Sequence, residues 1–387
     1  MNVETPADSV LAEQTIATAV PRLLFADNLR SSIIILVLLH HIGVIYSGMG
    51  FFYYSEPHNT LLLSLFAGLN QAWFMGALFL LSGYFSPGSC DRKGMRSFLK
   101  DRLIRLGIPL IFYFFVLNPI AAIGIFWMPS SVTHITSPLT WQDYPQLLGQ
   151  GPLWFVAMLL VFDFGYVGWR WFFRNRTFQS NSKTPSYLAI GIFILALALV
   201  SYLIRIPLPI NTTVFGFPDL AYLPQYLSFF CIGIVAFRGN WLQTIPSSMG
   251  KWGIVATIVV TFTLLPVALI GGRAGSSLPL FGSGHWQSGV YALWDSTFAV
   301  GFFLALITFF RRFLDCQGKL AKLLSQHSFT VYIIHPPIVV WLAIALRGVN
   351  LENLILLKFA LLAVIAVPAC FTVACLIKKI PHISRVL

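Results

Sequence analysis

An arginine and a histidine share one apolar run near the start of the chain: Asp27-Asn28-Leu29-Arg30, nine residues from Ser31 to Leu39, then His40-His41. Read as a helix, the eleven positions from Arg30 to His41 make about three turns. The two side chains therefore share a face, about 16 Å apart along the axis. An ionisable group within an apolar span is costly and is read first as functional. An imidazole titrates near neutrality, so it can take a proton from a hydroxyl or carry an acyl group itself. The competing reading is a histidine hydrogen-bonded between helices for packing. Arg30 on the same face and the adjacent histidine favour chemistry at His41, whereas His40 points about 100° away and is assigned to structure.

Three further groups could support that chemistry. Tyr332 and His335-Pro336-Pro337 stand late in the chain. The prolines free backbone carbonyls, so His335 either faces the same cavity as His41 or caps the opened turn. Asp163 reads as the only carboxylate deep in a span; it either orients a histidine or neutralises a buried arginine. Arg102 and Arg105 lie three apart on one helix face with Lys100 beside them. Guanidinium pairs at that spacing suit phosphate, and the alternative is plain cytoplasmic charge. Lys358 is expected to snorkel outward. No metal site is expected.

The elements that must position these residues follow from composition. The chain has 387 residues, 57% hydrophobic and 10% charged, against about 25% charged in a soluble domain. Its mean hydropathy is +0.79. The apolar runs are continuous rather than alternating, so helices in lipid are expected instead of a barrel. Ten runs approach the roughly 20 residues needed to span: 29–48, 60–85, 103–127, 152–172, 186–205, 220–238, 251–271, 288–310, 328–346 and 353–377. The sixth is the least regular, since Pro224 and Gln225 interrupt its start.

The net charge of +12 divides by loop. Every second connection is basic: Arg92 to Arg105, Arg170 to Lys183, Arg238 and Lys251, Arg311 to Lys322, then Lys378, Lys379 and Arg385. The opposite connections hold only Arg205, Arg273 and Arg347. That alternation predicts an all-α polytopic membrane protein of about ten helices with both termini cytoplasmic. Residues 1–28 read as a cytoplasmic tail rather than a signal peptide, and 29–380 as one membrane domain. The charge is a topology signal, with no motif for nucleic acid beside it. The five cysteines form no disulfide framework.

The ordered set of motifs resembles the acyltransferase-3 family of integral membrane acyltransferases. Asp27, Leu29, Arg30 and His41 match its arginine–ten–histidine pattern. Phe79-Leu80-Leu81-Ser82-Gly83-Tyr84-Phe85 resembles its phenylalanine-rich stretch ending in Ser-Gly-x-Phe. Arg102 and Arg105 before Ile108-Pro109 match its second arginine motif, Leu153-Trp154-Phe155 its Leu-Trp-Phe, and Tyr332 to His335 its Tyr-x-x-His. One departure is Asn-Leu-Arg-Ser-Ser after Asp27, where many members have Leu-Arg-Gly.

The resemblance implies transfer of an acyl group (acetyl, succinyl or similar) from cytoplasmic acyl-CoA, as co-substrate rather than bound cofactor. The acceptor would be a sugar hydroxyl in a glycan, glucan or glycolipid at the cell (inner) membrane. It implies that His41 and Arg30 are required and that Arg102 and Arg105, with Lys100, lie near the donor; His335, Tyr332, Asp163 and Asp27 are supporting candidates. Two other classes stay open on the residues alone. One is a proton-coupled secondary transporter; the other is a different membrane acyltransferase family in which His335 does the chemistry.

Overall fold

The computed structural model describes residues 22–48, 52–56, 60–128, 133, 139–173, 183–218, 220–272, 278–349, 354–381 and 383–386. The predicted tail lies largely outside these residues. Among them are ten helices long and apolar enough to cross a membrane. They are α1 (Leu24–Ser47), α2 (Leu61–Lys93), α3 (Met95–Trp127), α4 (Trp154–Phe172), α5 (Tyr187–Arg205), α6 (Leu223–Arg238), α7 (Ser247–Ala268), α8 (Trp286–Phe313), α9 (Lys319–Ala345) and α10 (Ile355–Lys378). The only β pairing among the described residues is two isolated bridges.

Pro224 begins α6 rather than breaking it, because a first-turn residue needs no helical N–H. Two features are absent from the hydropathy pattern. α2 is interrupted after Gln71 and resumes at Phe74. α3 widens into π-turns at Leu103–Gly107 and Tyr113–Leu117, just ahead of Pro109 and Pro119. Each proline lacks the N–H that would meet the carbonyl four residues earlier. At Pro119 that carbonyl belongs to Phe115, and it accepts from the Tyr144 hydroxyl at 2.5 Å.

The most enclosed helix is α9, with 72% of its apolar window buried, against 17% for both α5 and α7. The outer helices keep their apolar stripes exposed: Leu188, Ile192, Leu195, Leu199 and Leu203 on α5 are each more than half exposed. In water that stripe would be costly; in lipid it is the expected surface. α1 packs against the first part of α2 and against α8, α9 and α10. Its N-terminal end is tied to the segment after α8, where Asn28 Nδ2 donates to the carbonyls of Leu314 and Cys316, both at 2.8 Å.

Glycines permit the closest crossings. A Cβ on Gly83 of α2 would lie 2.1 Å from the Phe230 carbonyl oxygen, and one on Gly233 of α6 would lie 2.2 Å from that of Leu80. Gly253 of α7 and Gly301 of α8 meet in the same way. Small residues let helix backbones touch where no hydrophobic force drives them together. Gly83→Ala is therefore expected to cost about 1–3 kcal/mol through overpacking. Gly191→Ala, with nothing within 4 Å of the new methyl, serves as control. Melting in detergent should drop for the first and not the second; equal melting would refute the backbone contact.

Candidate functional site

α9 carries His335-Pro336-Pro337 without leaving the helix. Pro336 has no N–H for the carbonyl of Tyr332, four residues back. The imidazole of His335 supplies the missing donor: its Nδ1 lies 2.7 Å from that oxygen. Its other nitrogen, Nε2, lies 3.0 Å from Nδ1 of His41 on α1. His335 thus caps the opened turn and also contacts His41.

These contacts set the protons of the neutral pair. A carbonyl oxygen can only accept, so Nδ1 of His335 holds its hydrogen. Nε2 of His335 is then an acceptor, and Nδ1 of His41 donates to it. The lone pair of His41 is left on Nε2. His335 is wholly buried, while His41 keeps partial exposure. Tyr332, one turn earlier, gives its hydroxyl to the Pro152 carbonyl in the segment leading into α4. It anchors α9 rather than reaching His41. His40 packs its ring on Phe74 at 4.9 Å, in keeping with a structural role.

Residues 52–56, in the connection after α1, lie against the pair. Phe52 stacks on His41 with centroids 4.1 Å apart and planes 19° apart, and lies nearly parallel to His335 at 6.2 Å. Tyr53 adopts a left-handed φ of 54°, and its hydroxyl donates to Asn118 Oδ1. Burial holds the Tyr53 phenol above its ordinary pKa, so it remains a donor.

Arg30 lies at the far end of α1, in a cavity of about 800 Å³. Arg22, Arg30, Arg92 and Arg102 line it with Asp27 as the single carboxylate. Asp27 accepts from Arg22 at 2.5 Å and from Arg30 at 3.0 Å. Arg102 Nε lies 3.0 Å from Asp163 Oδ2. The Ser86 hydroxyl accepts from Arg102 Nη2 at 3.1 Å and donates to Asp163 Oδ1 at 3.0 Å. Asp163 therefore neutralises an arginine; its described partners include neither histidine. Arg105 and Lys100 are exposed and do not line this cavity. Arg22 and Arg92 do line it. No helical pattern set these two apart, since Arg22 precedes the first span and Arg92 reads as one of many loop charges. His41 is not in the cavity wall.

Two expectations need correction. Asp163 is not the only deep carboxylate: Asp295 on α8 is 1% exposed and bonded to Arg205. Asp295 stands inside the predicted run 288–310 and is held there by Arg205, which turns into the bundle rather than the connection. Lys358 does not snorkel. Its ammonium lies 2.8 and 2.6 Å from the two oxygens of Glu56, which the loop after α1 brings inside. A partner remote in sequence left no periodic signal.

Residues 23–378 match the family defined by the acyltransferase domain. The chain is also similar to two proteins named glucans biosynthesis protein C. One, from Escherichia coli strain UMN026, is 23% identical over 334 residues, which is 81% of each chain. The other, from Escherichia coli strain K12, is 22% identical over the same share.

The Arg102–Asp163 pair yields a stability test. Asp163→Leu leaves the guanidinium without its carboxylate and is expected to cost roughly 3 kcal/mol, the low end for breaking a buried pair because Arg102 is partly exposed. Adding Arg102→Met should recover most of that loss in detergent melting. A double variant no more stable than the single would mean the pair is not coupled.

Proposed function

We propose, from the premise that this chain belongs to the acyltransferase-3 family, that it moves a short acyl group from acyl-CoA to a sugar hydroxyl, with His41 Nε2 as the base. The observation that carries this reading is the contact of His335 Nε2 with His41 Nδ1 at 3.0 Å, backed by the bond of His335 to the Tyr332 carbonyl. It leaves His41 with a lone pair on its remaining nitrogen. Both nitrogens of His335 are engaged, which argues against His335 acting alone. Family membership in turn answers the transporter reading.

The arginine-lined cavity is the donor site in this proposal. Four guanidinium groups line it against Asp27 in the wall and Asp163 behind Arg102, and the excess of positive charge suits the phosphates of coenzyme A, each guanidinium offering paired donors that stay charged. The cavity opens on the basic face, which is cytoplasmic by the positive-inside rule. Arg30, about three turns from His41, holds donor phosphates rather than the reacting carbonyl. The extended pantetheine arm spans the distance from cavity to base. Arg105 and Lys100 lie outside the cavity wall and contribute general positive potential.

The step is a simple exchange. His41 Nε2 takes the proton from the acceptor hydroxyl as its oxygen bonds the acyl carbon. The carbon–sulfur bond breaks, and the proton passes from His41 to the departing thiolate. The relatives are named for glucan biosynthesis, so a glucan is the acceptor tested first.

The test follows labelled acyl groups from acetyl-CoA and succinyl-CoA to glucan oligosaccharides in proteoliposomes. His41→Ala should lower kcat at least about 100-fold with acyl-CoA binding intact. Arg102→Ala should weaken acyl-CoA binding about tenfold or more by losing a charged hydrogen bond. Undiminished transfer by His41→Ala at normal protein levels would refute the base assignment.

A further inference from the structure

Nothing in the proposed reaction uses Lys358 on α10. An ammonium within a span is expensive unless it is paired, and pairs of this kind can fix one conformation. Its partner Glu56 ends the segment Phe52–Glu56, a strap that crosses the bundle at the end of α1 remote from the arginine cavity. The Glu56 N–H donates to the Ile45 carbonyl at 3.1 Å, and the Ser55 N–H meets Met128 Sδ at 3.1 Å. The strap also lies against bare backbone. A Cβ on Gly124 would be 2.7 Å from the Tyr53 carbonyl oxygen, and one on Gly151 would be 1.9 Å from the Tyr53 hydroxyl. At its other end, Phe52 lies flat against His41.

The charge pair is therefore linked to the imidazole through four residues of a tightly seated strap. We propose that Lys358 is a positioning residue for acyl transfer. Through Glu56 it holds the strap so that Phe52 fixes the plane of the His41 ring, and Phe52 with Tyr53 shapes the side from which the acceptor hydroxyl approaches. This rests on the reading of His41 as the base. The donor side, at the other end of α1, is independent of it. Loosening the strap should disturb acceptor binding and admit water to the thioester, with donor affinity unchanged. Water would then add to the acyl carbon, the carbon–sulfur bond would break, and the coenzyme thiol would leave with no acceptor acylated.

The test uses the full chain with two double variants. E56Q/K358M removes both charges and leaves neither ion stranded; E56K/K358E restores a pair in the opposite sense. With acetyl-CoA and a glucan oligosaccharide, E56Q/K358M should raise the acceptor KM at least tenfold. Acetyl-CoA KM should stay within twofold, and hydrolysis of acetyl-CoA without acceptor should rise at least threefold. E56K/K358E should recover most of the acceptor KM. An acceptor KM within twofold of wild type, or an equal rise in both KM values, would overturn the proposal.

A second readout needs no acyl transfer. Carbethoxylation of His41 by diethyl pyrocarbonate, followed by peptide mass spectrometry, should be at least fivefold faster in E56Q/K358M than in wild type and return toward wild type in E56K/K358E. An unchanged rate overturns the strap's hold on His41. A changed rate in a chain that transfers no acyl group supports that hold and overturns the functional reading alone.

Discussion

A proline in the middle of a membrane helix leaves a carbonyl without its partner where no water can replace it. α9 meets this constraint at Pro336, and the solution is local: the side chain one residue earlier bonds the Tyr332 carbonyl. That bond settles which nitrogen of His335 carries hydrogen, and so which nitrogen of His41 does. A backbone defect thereby becomes a proton arrangement on a neighbouring helix. α3 handles Pro119 similarly, but there the donor is the hydroxyl of Tyr144 and the chain ends at the bond. The difference lies in the side chain, since imidazole has a second nitrogen to pass the constraint onward.

The deep charges obey a second rule. Asp163 is held with Arg102, Asp295 with Arg205, and Glu56 with Lys358. Each contact joins segments distant in sequence: α3 to α4, α5 to α8, and the strap to α10. Such pairs are weak evidence of stability, because desolvation offsets much of their attraction. They do favour one arrangement of helices over its neighbours, as a stranded ion penalises the alternatives. The arginine cavity differs in kind. Of its four guanidinium groups, Arg22 and Arg30 share Asp27 and Arg102 is held with Asp163, so positive charge still exceeds the carboxylates.

Ten helices and their alternating basic connections were legible because hydropathy and loop charge are properties of continuous segments. The shared face of Arg30 and His41 was legible for a similar reason, since helix periodicity is local. The break in α2 and the π-turns of α3 were not, because local backbone geometry is set by neighbours as well as by the proline. Partnerships across the bundle were also hidden. Asp163 had two plausible mates, and only packing chose Arg102. Lys358 looked like a residue reaching for the headgroups because Glu56 stands 302 positions away, in a loop. The strap carried no motif at all; Phe52 is one of 35 phenylalanines.

α1 connects these parts through its length. Asp27 and Arg30 near its start line the arginine cavity, and His41 lies about 16 Å beyond Arg30 along the same face. The helix is tied at one end to the segment after α8 and at the other to the strap. Its register is therefore held from both sides. A rigid spacer of this kind suits a long, flexible donor better than a short one. In the proposed reaction the charged end of the donor is captured at the arginine cavity, and its reactive end reaches His41, the proposed base, in an apolar interior that could not itself hold phosphate. Separating capture from chemistry also spares the imidazole a crowd of like charges, which would oppose its taking a proton. The distance between Arg30 and His41 is thus as much a part of the proposed site as either residue.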